Sequence, residues 1–315
     1  MEIPNQVTNK EQNNSQDLNN FFIEVKTLVD DLIIKSIPID TPEKLANAMQ
    51  YMFKAKAKRF RAALAIAVAD SLKLNSTERK ALNAVIVAIE VMHTYSLIHD
   101  DLPCMDDDDY RRGQLSCHKK FDEATAILAA DAMHALSFEL LTNFVWENPT
   151  NQLKAVNIFA KSVGPSGMVA GQILDIENSN IDINNASFSE SKLKNIHSKK
   201  TGALISASMQ LAALCKKNID EETINLLARL GEILGLSFQI MDDLLDEIGS
   251  FEKLGKEPGS DKSGKKYTYV NLLGVSAAKD KLAILLKEYK TLLNKSVLSN
   301  KTLLQLGDFI INRAS

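Results

Sequence analysis

The stretch that decides the fold runs from His93 to Gly113 and reads H-T-Y-S-L-I-H-D-D-L-P-C-M-D-D-D-D-Y-R-R-G. After an apolar run from Ala81 to Met92, it places six aspartates within ten positions: Asp100, Asp101 and Asp106 to Asp109. Carboxylates at the end of a buried helix are costly to desolvate unless a positive charge lies among them. Mg²⁺ meets this need, because it prefers carboxylate, phosphate and water oxygens. Arg111 and Arg112 follow at once and are suited to holding an anionic substrate.

A second aspartate cluster changes the interpretation of the first. Met241 to Glu247 reads M-D-D-L-L-D-E, follows another apolar helical segment, and spaces Asp242 and Asp246 four residues apart on one helical face. A run of four aspartates alone would fit a solvated acidic loop equally well. Two aspartate-rich helix ends predict two walls of one metal-filled cavity. A calcium-binding EF-hand loop is excluded, because counting from Asp100 or Asp106 gives neither Gly at the sixth position nor Glu at the twelfth.

The composition favours an all-helical protein. The 315 residues include 13 Gly and 7 Pro, roughly 4% and 2% of the chain against average usage of about 7% and 5%. Hydrophobic residues make up 45%, which is ample for a sizeable core. The formal charge of -3 and the lack of a basic stripe with aromatic residues give no reason to expect nucleic acid. Three cysteines are too few, and unsuitably spaced, for a disulfide framework or a zinc site: Cys104, Cys117 and Cys215.

The first residues do not resemble a secretory signal, because they are polar and acidic. No apolar run approaches ~18 residues without a polar or charged break, so we predict no membrane span and a cytoplasmic location. Residues 1–14 are rich in Asn and Gln and are expected to be disordered. Helical periodicity begins at Leu18, and no repeat or linker divides the chain, so residues 15–315 are expected to form one domain.

Several polar residues interrupt the apolar helices. A helix opened by Thr41-Pro42-Glu43 is expected to run into the basic stretch Lys54 to Arg61, where Lys58 and Arg61 would share one helical side. This stretch is either a solvated face or an anion clamp.

The next helix is capped by Asn75 to Glu78 and carries His93, Ser96 and Asp100 on one stripe. A lone histidine at such a position is more often a satisfied core residue. Pro103 makes a straight-helix extrapolation unsafe. Periodicity pairs Asp100 with Asp107, and the bend decides whether Asp106 takes that place.

Gln172 and Asp175 lie three residues apart on an otherwise apolar face, which makes them candidates for the cavity wall. Lys200 and Thr201 stand beside a glycine that interrupts a helix. The stretch from Leu254 to Tyr269 has lysines among glycines and is either a flexible solvated loop or a cationic lid over phosphate.

In this order the motifs resemble the trans-isoprenyl diphosphate synthases, most closely the bacterial farnesyl diphosphate synthases, from about Phe22 to Arg313. Asp100-Asp101 with Asp106 is similar to the first aspartate-rich motif, DDxxxxD, and Asp242-Asp243 with Asp246 to the second, DDxxD. The resemblance implies an all-α isoprenoid synthase fold, a single helical bundle around a deep central cavity, and a homodimer. It also implies about three Mg²⁺ ions per active site, held by four aspartates: Asp100, Asp106, Asp242 and Asp246.

The resemblance also assigns substrate roles residue by residue. The residues matching an isopentenyl diphosphate site are Lys58, Arg61, His93 and Arg112. Those matching an allylic diphosphate site are Arg111, Lys200, Thr201, Gln239, Lys256 and Lys266. Gln172 matches a glutamine of the cavity wall, and Tyr95, five residues before Asp100, matches the aromatic floor of the chain-elongation pocket. The chain departs from the family pattern at Lys56-Ala57, where Gly-Gly is usual, and at Ala62 and Val270, where Pro is usual.

The implied reaction is ionisation of the allylic diphosphate, condensation with isopentenyl diphosphate, and proton loss. The residues expected to act in ionisation are Asp100, Asp106, Arg111, Lys200, Thr201 and Gln239. The expected product is farnesyl diphosphate, with geranyl or geranylgeranyl diphosphate as alternatives set by pocket depth. A terpene cyclase would need no second diphosphate site, and a non-catalytic partner subunit usually lacks the aspartates.

Overall fold

The protein is described by a computed structural model for residues 9–178, 189–248 and 267–312. Within these ranges it consists of helices and one short hairpin, so the predicted all-α fold is confirmed. The helices are α1 (Asn9–Ser36), α2 (Glu43–Phe53), α3 (Phe60–Ser71), α4 (Ser76–Asp100), α5 (Cys117–Lys120), α6 (Glu123–Thr142), α7 (Pro149–Val163), α8 (Met168–Asn178), α9 (Glu190–His197), a π turn (Ser198–Gly202), α10 (Ala203–Leu214), α11 (Glu221–Ile248), α12 (Tyr269–Leu273), α13 (Val275–Asn294) and α14 (Lys301–Asn312).

Helices α3 and α10 form the centre of the bundle. Every residue from Ala62 to Ala69 on α3 is buried, and α10 is buried from Leu204 to Met209. A helix that is apolar on all sides is stable only when other helices surround it. Helix α3 accordingly packs against α1, α4 and α10, and α10 packs against α7 and α11 as well. The aspartate-bearing helices both pack on this buried pair, α4 on α3 and α10, and α11 on α10.

Helix α4 begins with the predicted capping box. The Asn75 side chain accepts hydrogen bonds from the Thr77 and Glu78 amides, and the Glu78 carboxylate accepts one from the Asn75 amide. Glu78 is buried and also accepts a 2.8 Å hydrogen bond from the Lys217 amide. The cap thus fixes the register of α4 and ties its start to the segment before α11.

The prediction that Lys58 and Arg61 share one helical side was wrong. Helix α2 ends at Phe53 and α3 begins at Phe60, so Lys58 lies in the connecting segment. Arg59 adopts a left-handed backbone conformation there, with φ 52°. Its buried guanidinium donates to the Phe53 carbonyl and to Asp30, both at 2.9 Å, and these contacts hold the reversal of the chain.

A hairpin follows the first aspartate cluster, and the sequence patterns did not predict it. Strand β1 (Tyr110–Arg111) pairs antiparallel with β2 (Gln114–Leu115). Its turn residues, Arg112 and Gly113, have φ of 55° and 80°. Two positive φ values are the requirement of a type I′ turn, whose twist matches the paired strands. The turn places the neighbouring side chains of Arg111 and Arg112 in different environments.

The first helix begins at Asn9, before the expected end of the disordered segment at residue 14. Gln, Glu and Lys in residues 9–14 are adequate helix formers, so the stretch continues the helix despite its polarity. Residues 1–8 lie outside the described ranges. That residues 15–315 form one domain stays a prediction.

Among the described helices, α4, α6 and α11 are long and apolar enough to cross a membrane by length and composition alone. These helices do not appear in the sequence as uninterrupted apolar runs, because polar residues are spread along each of them. Their apolar windows are 72%, 44% and 61% buried, so the bundle interior accounts for most of the apolar surface of α4 and α11. The absence of a membrane span and the cytoplasmic location stay predictions.

Candidate active site

A cavity of ≈ 990 Å³ lies among α3, α4, α8, the π turn and α11. Every predicted site residue inside the described ranges lines it, although they come from separate segments of the chain. These residues are Lys58, Arg61, His93, Tyr95, Asp100, Asp106, Arg111, Arg112, Gln172, Lys200, Thr201, Gln239, Asp242 and Asp246. Lys256 and Lys266 lie outside the described residues. Lys56 and Ala57, which replace the glycines usual in the family pattern, also line the cavity.

The first aspartate cluster divides between the cavity and the outer surface. Asp100 ends α4, and its carbonyl accepts a 2.9 Å hydrogen bond from the Asp106 amide. Asp106 lines the cavity and Asp107 does not, because Asp107 has a left-handed backbone, φ 52°, in the bend after Pro103. The structure therefore places at the cavity the aspartate that the family resemblance selected, and not the one that simple periodicity selected.

Burial destabilises the charged form of the Asp100 carboxylate on this wall. Burial raises the pKa of Asp100 to about 6; Lys200 offsets part of this effect, and Asp106 adds to it. On the facing helix, α11, Asp242 and Asp246 line the same cavity. Four carboxylates on one cavity are hard oxygen donors, and this donor set fits Mg²⁺.

Two cationic side chains next to these carboxylates already have acidic partners. Arg111 is paired with Asp101 and, at 2.8 Å, with Asp108. The Lys200 ammonium lies 2.7 Å from Asp175. Burial lowers the pKa of Lys200, but Asp175 and Asp100 outweigh it and raise the pKa above its ordinary value. Both cations are therefore charged, and an anion entering the cavity would replace carboxylates as their partner.

A second cationic group lies at Arg61, Arg112 and His93. Nη2 of Arg112 is 3.2 Å from Nε2 of His93. Burial, followed by the charges of Arg61 and Arg112, holds the pKa of His93 well below its ordinary value, so the imidazole is neutral. Burial also lowers the pKa of Arg112 to about 10, against the opposing effect of Glu90.

Glu90 is a site residue that the sequence patterns did not predict. It is 1% exposed, accepts a 3.2 Å hydrogen bond from the Ala62 amide, and has Oε2 3.7 Å from Nη1 of Arg59. It also raises the pKa of Arg61 and of Arg112 against burial. A charged residue inside the apolar run Ala81 to Met92 was the signal that could have identified it.

Lys200 and Thr201 are presented by the π turn between α9 and α10, so Gly202 does not break the helix as expected. A Cβ at Gly171 would lie 2.5 Å from the Lys200 Cα, and one at Gly235 would lie 2.5 Å from the Gly202 Cα. Glycine is therefore required at both positions for α8 and α11 to contact the turn through their backbones. A π turn inside a helix is frequent at functional sites.

Two amides face the cavity near this turn. The Thr201 hydroxyl donates a hydrogen bond to Oε1 of Gln239. The side-chain nitrogen and oxygen of Gln172 are buried and have no hydrogen-bond partner in the part of the chain that the structure describes. A buried amide without partners is costly, so Gln172 is suited to contact a ligand in the cavity.

One and a half helical turns before Asp100, Tyr95 lines the cavity. The Tyr95 ring packs against His99 and His134, with ring centres 4.7 and 5.2 Å away. His134 in turn packs against Phe138, and Phe138 against Phe159. Tyr95 is thus backed by rings on α4, α6 and α7, which gives the cavity an aromatic boundary.

The chain is similar to known proteins over most of its length. The profile of the family described as Polyprenyl synthetase matches residues 42–304. The farnesyl diphosphate synthase of Bacillus subtilis (strain 168) is 39% identical, over 91% of this chain and 95% of that protein. The chloroplastic geranylgeranyl pyrophosphate synthase 7 of Arabidopsis thaliana is 36% identical, over 95% of this chain and 85% of that protein. The structure of the geranyltransferase from Helicobacter pylori complexed with magnesium and isoprenyl diphosphate superimposes with a TM-score of 0.79 at 31% identity, covering 95% of this chain and 96% of that one.

Proposed function

Because the chain belongs to the polyprenyl synthetase family and is a prenyltransferase with the isoprenoid synthase fold, we propose that it is a farnesyl diphosphate synthase. It condenses isopentenyl diphosphate with dimethylallyl and then geranyl diphosphate. The observation that carries this proposal is the separation of two cationic groups around one cavity. Arg111 pairs with Asp101 and Asp108, whereas the adjacent Arg112 contacts His93.

Two cationic groups fit two diphosphates, and this distinguishes a synthase from a terpene cyclase. A cyclase ionises one diphosphate and has no use for a second cationic site. The intact aspartates likewise argue against a non-catalytic partner subunit. Product length is the finer question, because relatives of both the farnesyl and the geranylgeranyl type match at similar identity. The aromatic rings packed behind Tyr95 support the shorter product.

The allylic diphosphate is assigned to the aspartate side of the cavity. Mg²⁺, about three ions bound by Asp100, Asp106, Asp242 and Asp246, would neutralise charge on the departing diphosphate. Arg111 gives up its contacts with Asp101 and Asp108, and Lys200 gives up its contact with Asp175. Both cations then bind oxygens of the departing diphosphate. Because the site is buried, these charges act in a low dielectric and stabilise the transition state strongly. Lys256 and Lys266 complete this group by resemblance to the family.

Isopentenyl diphosphate is assigned to Lys58, Arg61, Arg112 and His93. The neutral His93 donates or accepts one hydrogen bond without adding a further buried charge. Gln172 and Thr201 face the space between the two diphosphates, where their dipoles can stabilise an allylic cation without attacking it. The released diphosphate takes the proton that is lost after condensation, so no side chain needs to act as general base.

A homodimer is the proposed assembly. Helix α6 packs on α4 through one face and presents Ile127 and Leu128, which are 42% and 61% exposed, on the other. The same helix carries His134, which packs against Tyr95. A two-fold pairing through α6 would bury apolar side chains that otherwise face water, and it would brace the floor of the cavity.

Product analysis tests the proposal. Purified protein is given Mg²⁺, isopentenyl diphosphate and either dimethylallyl or geranyl diphosphate, and the dephosphorylated alcohols are separated by chain length. A dominant fifteen-carbon alcohol is expected. A dominant twenty-carbon alcohol would keep the chemistry and assign a geranylgeranyl diphosphate synthase. No product from either allylic substrate by a folded protein would refute the enzymatic proposal.

A further inference from the structure

The aspartates from 106 to 109 alternate between two sides of the loop. Asp106 and Asp108 line the cavity, whereas Asp107 and Asp109 are not among its lining residues. The left-handed backbone of Asp107 produces this alternation. One carboxylate oxygen from each of Asp107 and Asp109 lies within 4.8 Å of a ring nitrogen of His118, and within the same distance of the other oxygen. The outward-facing half of the run therefore meets a histidine from α5.

His118 is arranged as a metal-binding histidine would be. It is 7% exposed, and its Nδ1 lies 3.1 Å from the hydroxyl of the fully buried Ser116. Its Nε2 is buried and has no hydrogen-bond partner among the residues described. Histidines that bind metals usually donate their second ring N–H to an oxygen acceptor, which fixes the tautomer. In the tautomer with the proton on Nδ1, Ser116 is that acceptor and Nε2 keeps its lone pair for a metal ion.

We propose that Asp107, Asp109 and His118 form a second metal site, outside the catalytic cavity, for a divalent transition-metal ion of the zinc type. In a tetrahedral zinc site with bonds of about 2.0–2.1 Å, neighbouring ligand atoms lie roughly 3.3 Å apart. Both aspartates are exposed, so their side chains can rotate inward by the remaining distance. Water would fill the fourth position. The inference does not depend on the proposed function.

The donor set distinguishes this site from the cavity. Imidazole suits zinc, cobalt and nickel, whereas Mg²⁺ prefers a site made of oxygens alone. The bound ion would tie the loop that carries Asp106 to α5 from the outside, without entering the cavity. Lys119 competes for the same charge, because its ammonium lies 2.8 Å from Oδ1 of Asp109. Substitution of Lys119 should therefore change the zinc affinity, as should substitution of the ligands.

Zinc binding by calorimetry tests the site, with an Asp100→Asn/Asp242→Asn double variant as the reference protein so that the cavity contributes little. The reference is expected to bind one Zn²⁺ per chain, and a tenfold excess of Mg²⁺ should not displace it. Co²⁺ in place of Zn²⁺ should show imidazole N–H resonances shifted by the paramagnetic ion in proton NMR. Hydrogen exchange of residues 105–118 should slow when Zn²⁺ is added.

Matched substitutions distinguish the loss of a zinc ligand from the loss of a nearby charge. Asp107→Asn and His118→Asn should each weaken Zn²⁺ binding at least ~10-fold, the minimum expected when a ligand set is broken. Asp108→Asn removes the same charge one residue away and should change affinity less than twofold. Asp107 is exposed, so its substitution tests the site even if His118→Asn fails to fold.

Lys119→Met should strengthen Zn²⁺ binding, and Lys120→Met, on the same short helix, should not. Equal strengthening by both would mean a general charge effect and not competition at Asp109. Zinc binding that is absent in the reference protein, or that survives both Asp107→Asn and His118→Asn, would overturn the proposal.

Discussion

Glu90→Gln should lower the stability of the protein and at the same time strengthen its binding of diphosphate. Glu90 is 1% exposed and is the carboxylate that raises the pKa of both Arg61 and Arg112. Glutamine keeps the shape and can still accept the hydrogen bond from the Ala62 amide. The substitution therefore removes the negative charge while leaving the packing nearly unchanged.

The size of the effect follows from the charges left behind. Removing one partner of a buried ion pair costs about 3–5 kcal/mol, because the remaining charge has lost its compensation. We expect the lower end, about 3 kcal/mol, since Arg59 keeps its contacts with Asp30 and the Phe53 carbonyl. This loss is large against a total stability of roughly 5–15 kcal/mol. A bound diphosphate restores the missing negative charge, so its affinity should rise about tenfold, which corresponds to 1.4 kcal/mol.

The assay is urea unfolding with and without inorganic pyrophosphate, in the absence of metal. Wild type, Glu90→Gln and Asp30→Asn are compared at one ionic strength. Asp30 also binds Arg59, but it is more exposed than Glu90. The pKa of Arg61 is raised by Glu90 and Asp242, and that of Arg112 by Glu90. Substitution of Asp30 should lower stability less and leave pyrophosphate affinity unchanged. Unfolding free energies within 1 kcal/mol of wild type for Glu90→Gln, or a pyrophosphate affinity that does not rise, would refute the reasoning.

Four further outcomes are expected. Asp100→Ala should reduce kcat by at least ~10²-fold, the scale for a lost preorganised electrostatic contact, and a rate within twofold of wild type would remove Asp100 from the mechanism. Tyr95→Ala should shift the product profile toward longer chains, and an unchanged profile would place the floor elsewhere. His197 has a pKa lowered by burial to about 4; the unfolded chain therefore binds more protons below pH 6.5, and stability falls as the pH falls. Between pH 7 and pH 5 this loss should be about 2 kcal/mol in wild type relative to His197→Gln, and equal slopes in the two proteins would contradict it. Leu128→Arg should produce monomers in light scattering, whereas Ile284→Arg, at a position 66% exposed on α13, should leave the dimer intact.

Local patterns predicted the aspartate-bearing walls of the site. The capping box at Asn75 and Glu78 fixed the start of α4, and helical periodicity then aligned His93 and Asp100 on the cavity side. The four-residue spacing of Asp242 and Asp246 likewise placed both on one face of α11. These features follow from hydrogen bonds and spacing within a few residues, so the sequence was enough to find them.

The cationic side of the site depends on contacts between distant residues. Arg59 adopts a positive φ because Asp30, 29 residues earlier, and the Phe53 carbonyl bind its guanidinium. No local rule predicts a left-handed arginine, so a continuous helix to Arg61 was the natural expectation. The hairpin at Arg112 was not predicted for a different, local reason, because an Arg-Gly pair is a weak turn signal beside Asn-Gly. The family resemblance, and not periodicity, identified Asp106.

The contacts of Gly171 and Gly235 with the π turn also set how the chain tolerates mutation. Even the smallest side chain at either position would overlap the backbone of Lys200 or Gly202, and neither backbone can move without displacing Lys200 and Thr201. A saturation library scored for activity should therefore reject every substitution at these two positions, as strictly as it rejects changes at the aspartates. Two residues without side chains would then be as invariant in the family's sequences as those that bind substrate.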